Sequence, residues 1–166
     1  MKYLSVIFSL CCISCSWNTA TTVTGYGQPT IIHSGKHINP GDDYTIKTVA
    51  ITLDNVEFNI SDHRYKTTEI KFNSMSAGAK YHLSKTYGFC FVDIGAGFRL
   101  TEVDERNEWL AESHLLADVS FSAGIKKEFE KIDIRLFYTF QHLSVPWRND
   151  QGLNCDMINF GINIPF

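Results

Sequence analysis

Near the C-terminus, the segment Phe140-Gln141-His142-Leu143-Ser144 sets an imidazole and a hydroxyl two residues apart. Two residues is the side-chain period of a β-strand, so both groups leave the same face. Upstream, Ile132, Ile134, Leu136, Tyr138 and Phe140 alternate with Asp133, Arg135, Phe137 and Thr139, and His142 and Ser144 continue the apolar set. A histidine able to take a serine proton is the chemistry of acyl transfer: the serine oxygen attacks a carbonyl, imidazole carries the proton to the leaving group, and water frees the acyl group. A third group must hold the imidazole. Counting up from Phe166 by about ten residues, or roughly 24 Å of tilted strand, reaches Asp156 on the same parity as Phe160, Ile162 and Ile164. Asn154 shares that parity. Spacing from His142 favours Asp156, and a carboxylate stabilises an imidazolium better than an amide does.

The strands that must position these groups are legible over much of the chain. Cys90, Val92, Ile94, Ala96, Phe98 and Leu100 share one face, with Asp93, Gly95, Gly97 and Arg99 on the other; Ala117 to Ile125 repeats the pattern against Asp118, Ser120, Ser122 and Gly124. Alternation alone fits a soluble sheet as well as a membrane one. The second face decides, because its Gly, Ser, Asp, Arg and Lys suit a narrow interior of small and paired charged side chains. Earlier strands run through Val49 to Leu53 and Val56 to Ile60, and a first strand spans Thr22 to Ile32. The parity switch between Phe72 and Met75 predicts a bulge near Asn73. The expected class is all-β: a small antiparallel transmembrane β-barrel of about eight strands. Asp93, Arg99, Asp118 and Arg135 would then face inward and form charge pairs, since a lone charge there is costly.

Connections alternate in length. Asp54-Asn55, Ser84 to Tyr87 and Glu128 to Glu130 are short, whereas His33 to Asp43, Ser61 to Thr68, Glu102 to His114 and Val145 to Gly152 are long. In membrane barrels short turns face the periplasm and long loops the exterior, which puts His142 and Ser144 at the outer end.

Residues 1–20 have the layout of a signal peptide, one Lys and then an apolar stretch from Tyr3 to Ile13, leaving residues 21–166 for the barrel. Of five cysteines, Cys90 and Cys155 lie beyond the leader, on opposite faces and at opposite strand ends, so no disulfide joins them. No Cys or His spacing suits a metal, and acyl transfer of this kind needs no cofactor. The formal net charge of −3 offers no basic stripe for nucleic acid. Nothing in the sequence selects between a monomer and an oligomer.

The segment FYTFQHLSVPWRNDQGLNCDMINFGINIPF resembles the C-terminal hairpin of the lipid A 3-O-deacylases, the PagL family, in its His-x-Ser pair, its later Gly-containing polar segment and its strand ending in Phe. A looser similarity runs upstream through SMSAGAKYHL and YGFCFVDIGAGF, so about the C-terminal half is covered. The terminal Phe166 also resembles the aromatic signature of bacterial outer-membrane barrels. The resemblance implies a barrel in the bacterial outer membrane, its active site facing the outer leaflet, that removes the 3-O-linked acyl chain of lipid A in lipopolysaccharide. Ser144 would be the nucleophile and His142 its base. The family has Asn directly after the serine for oxyanion stabilisation; this chain has Val145, so the donors would be the Gly152 amide, Asn149 or Asn154. Aligning on Gly152 selects Asn154 as the third member, against Asp156 by spacing. A structural or adhesive barrel of the opacity type is the alternative, and it would lack the outward polar triplet.

Overall fold

Polar backbone in a bilayer demands that every strand edge be paired, which a sheet achieves only by closing on itself. In the computed structural model, which describes residues 19–33, 36–38, 43–66, 71–101, 114–147 and 151–165, the chain does this. Its strands are β1 (Thr19–His33), β2 (Lys36–Ile38), β3 (Asp43–Leu53), β4 (Val56–Lys66), β5 (Lys71–Tyr87), β6 (Cys90–Thr101), β7 (Leu115–Glu128), β8 (Asp133–Ser144) and β9 (Gln151–Pro165). The eight long strands form an antiparallel barrel closed by β1 on β9, paired from Thr19 with Pro165 to His33 with Gln151. The short β2 folds back on the end of β1 as a small hairpin.

The barrel is apolar outside and polar inside. Among the described residues, twenty-three large hydrophobic side chains are exposed while ten hydrophobic residues are buried, a reversal that only a surrounding apolar solvent makes stable. Phe98, Val119, Phe121, Leu136 and Ile158 belong to this outer belt. The twelve residues of β6, tilted as barrel strands are, rise about 30 Å, enough to cross an apolar band of about 25 Å.

Inside, the expected charges are paired. Asp118 accepts from Arg99 and Lys80, each at 2.9 Å, and from Gln141 at 2.9 and 3.0 Å. Asp93 bonds His82 at 2.8 Å, and Arg135 lies 4.0 Å from Asp133. At the rim where β8 ends, Tyr44, Ile46, Leu116, Leu143, Val145, Leu153, Cys155 and Met157 form an apolar plug. Towards the short turns the interior opens into a polar cavity of about 320 Å³, with Thr52, Glu57, His82, Asp93 and Arg135 in its wall. Cys90 is exposed and Cys155 buried, on the two sides of the wall.

Two expectations about β5 are corrected. The turn between β5 and β6 is not Ser84 to Tyr87: those residues stay in the ladder, opposite Asp93 to Cys90, and the chain reverses at Gly88-Phe89. Gly88 has φ 62°, a conformation that costs a glycine little and other residues more. The ladder of β4 and β5 is unbroken from Val56–Tyr81 to Lys66–Lys71, so there is no bulge at Asn73. Apolar parity is enforced only where a strand meets lipid, and Asn73 lies near the rim end of β5. Thr19 and Ala20 pair with Pro165 and Ile164 at the start of β1. Residues 1–18, the acidic stretch within 102–113, Asn149 and Phe166 lie outside the described residues.

Candidate active site

β8 and β9 are hydrogen-bonded neighbours, and their register sets the geometry of the candidate residues. Ser144 lies opposite Gly152, His142 opposite Asn154, Phe140 opposite Asp156 and Tyr138 opposite Ile158. All of these are on the outward parity: on β8 the alternate residues Thr139, Gln141 and Leu143 are buried inside the barrel, and on β9 so are Cys155, Met157 and Asn159. The structure therefore brings His142, Ser144, Asn154 and Asp156 together on the outer wall, at the rim above the apolar belt.

His142 and Asn154 meet across one rung, with Nδ1 of the imidazole 2.6 Å from Oδ1 of the carboxamide. An amide oxygen only accepts, so in this contact Nδ1 is the donor and Nε2 is the ring nitrogen left to face a serine. That is the tautomer a serine's base requires.

The partner of His142 is thus Asn154 and not Asp156, which spacing had favoured. Equal distance from the strand ends measures depth, whereas side-chain contact follows the rung, which runs perpendicular to leaning strands. The rung from His142 meets Asn154. Asp156 lies two rungs deeper, where the Tyr138 phenol donates to its carboxylate.

Gly152 is closely packed beside the pair. A Cβ there would stand 2.9 Å from the Leu143 carbonyl oxygen, 3.2 Å from Cε1 of His142 and 3.7 Å from Cβ of Ser144. On the other side Ser144 faces Ala117 of β7, another small residue. Ser144 therefore has a small residue opposite it on each neighbouring strand. Ala117 was not singled out from the sequence, although its outward parity and small size were readable there. Tyr138 was likewise read only as part of the apolar face.

Not every predicted contact is made. Among the described residues no hydrogen bond joins Ser144 Oγ to the His142 ring, so the base and nucleophile share a face without being engaged. Val145 is 2% exposed and belongs to the interior plug, so it contributes nothing to an oxyanion on the outer wall. The Asn154 oxygen is committed to His142, which leaves its amino group and the Gly152 backbone as oxyanion candidates among the described residues. Among the described residues no cluster of His, Cys, Asp and Glu is arranged to hold a metal ion.

No protein-family model matches the chain, and no curated protein does. Solved structures do match. The crystal structure of Neisserial surface protein A is similar with a TM-score of 0.54 at 11% identity, covering 89% of this chain and 97% of that one. The N-terminal β-barrel domain of Pseudomonas aeruginosa OprF is similar with a TM-score of 0.47 at 17% identity, covering 91% of this chain and all of that one. At 11% identity, what is shared with Neisserial surface protein A is the fold.

Proposed function

We propose that the protein is an outer-membrane serine esterase that hydrolyses the 3-O-linked acyl chain of lipid A, acting from the wall of the barrel on a lipid still seated in the bilayer. The observation that carries this reading is the His142 ring, held in its basic tautomer by Asn154 on a lipid-facing surface, with Ser144 two residues along the same face. The resemblance of the surrounding hairpin to lipid A 3-O-deacylases names the substrate.

In this reading Ser144 Oγ attacks the ester carbonyl as Nε2 of His142 takes its proton, which then passes to the departing sugar hydroxyl. Water, deprotonated by the same imidazole, releases the fatty acid and restores the serine. Asn154 takes the orienting place that Asn also fills in Cys-His-Asn enzymes. Asp156, two rungs deeper, supports the transient imidazolium through its charge. The small residues Gly152 and Ala117 opposite Ser144 put no side chain in the way of an ester, and the apolar belt below accommodates the chain.

The unengaged Ser144 hydroxyl favours a second reading, a non-enzymatic surface barrel. Incubating the purified barrel with lipopolysaccharide and weighing the lipid A separates the two. Loss of one ester-linked acyl chain, absent with Ser144→Ala, supports the esterase; unchanged mass with a folded wild-type protein refutes it.

A further inference from the structure

The strand registers fix how far the wall leans. Followed rung by rung from Ile32 of β1, the ladder passes Gly152, Ser144, Ala117 and Phe98, then Ala79, Phe58 and Ile51, and returns to β1 at Ala20, twelve residues nearer the short-turn end. A closed sheet of eight strands with that offset leans its strands about 45° from the barrel axis, at about 3.3 Å per residue and 4.8 Å between strands. Rungs therefore descend from β8 towards β7 and rise from β8 towards β9.

The lipid path below Ser144 follows from this lean. Acyl chains in a bilayer run along its normal, so one leaving Ser144 crosses the leaning strands diagonally, off β8 and over β7 to β6. Ala96 of β6 lies two strands across and two residues down: it pairs with Val119 of β7, which pairs with His142 of β8. Both legs descend, about 10 Å across the strands and about 7 Å along them, which puts Ala96 about 12 Å beneath the serine and only about 2 Å to one side. Around it stand larger exposed side chains: Ile94 and Phe98 on its own strand, Val119 on β7, and Tyr81, its partner on β5. Ala96 faces outward among them, so its methyl group floors a dimple in the apolar belt, under the candidate nucleophile.

We propose that Ala96 is a specificity-determining residue, and that the dimple it floors receives the distal part of the acyl chain whose ester Ser144 attacks. A chain that fills one leaflet, about 15 Å of hydrocarbon, passes this depth and lies against Val119 and Phe98, whereas a butyryl chain ends above it. A large side chain at position 96 would lift a long chain off the wall and draw its ester away from Ser144. The inference rests on the esterase reading and adds to it the place where the chain lies.

The test places the folded protein in phosphatidylcholine vesicles with two synthetic lipid A analogues, identical except that the 3-O-linked chain is myristoyl in one and butyryl in the other, and follows release of each acid by mass spectrometry. Ala96→Trp should lower the rate on the myristoyl ester by roughly ten- to a hundredfold and leave the butyryl ester at the wild-type rate, since overfilling acts only where the chain lies. Ala96→Leu should fall between the two, and Ala96→Gly should match wild type. Ala77→Trp, on the outward parity of β5 but opposite Leu100 of β6, should leave both esters unaffected. Heat-modifiable migration confirms that each variant is folded. An equal loss on both esters, no loss on the myristoyl ester, or the same loss with Ala77→Trp would overturn the role of Ala96. Wild type releasing neither acid would sink the esterase reading and this inference with it, whereas an active wild type with Ala96→Trp unchanged sinks the inference alone.

Discussion

Removing the carboxamide of Asn154 tests the site most directly. Asn154→Ala deletes the acceptor that holds Nδ1–H of His142 at 2.6 Å. The bond becomes charge-assisted when the ring is protonated, and such bonds contribute about 1.5–3 kcal/mol, which corresponds to a loss of roughly 10- to 150-fold in kcat. Asp156 lies on the diagonal from His142, about 7–8 Å away, with no hydrogen bond to it. Two charges at that separation interact by about 2 kcal/mol at an effective dielectric of 20, and exposure to headgroup water reduces this well below that figure. Asp156→Asn should then cost only a few-fold. Asn154→Asp keeps the acceptor and adds charge, so it should match or exceed wild type. The assay is initial release of fatty acid from lipopolysaccharide by the folded barrel, with heat-modifiable migration as the control. A larger loss from Asp156→Asn than from Asn154→Ala would refute the reasoning and return the orienting role to the carboxylate.

Ser144→Ala or His142→Ala should abolish release of the 3-linked chain without unfolding the barrel, because both side chains leave the wall and support no interior packing; deacylation followed by mass spectrometry checks this. Gly152→Val should also silence the site, since its Cβ alone would fall 3.2 Å from the His142 ring and 2.9 Å from the Leu143 carbonyl, and a barrel that stays fully active would disprove that this close packing holds the ring in place. Asp118→Ala strands Arg99 and Lys80 in the interior and should lower stability by about 3–5 kcal/mol, read from the urea midpoint of unfolding in detergent micelles.

Side-chain parity along β6, β7, β8 and β9 was legible in the sequence because it is a local property: each residue's face depends only on its neighbours in the same strand. For that reason the inward placement of Arg99 and Asp118 and the outward placement of His142 and Ser144 needed no tertiary information. The outward parity of Asn154 and Asp156 was equally plain, but the choice between them was not. It depends on the register of β8 against β9, which is set by the reversal between the strands and by closure of the whole barrel through β1. The turn at Gly88 escaped for a related reason, since Ser84 to Tyr87 have turn-like composition and only their pairing with Asp93 to Cys90 holds them in the sheet. The placing of Gly152 and Ala117 on either side of Ser144 likewise exists only because three strands lie side by side. Alternation within a strand is fixed by backbone geometry that every residue carries with it, whereas contact between strands follows from hydrogen-bond registers that form only when distant segments close into one sheet.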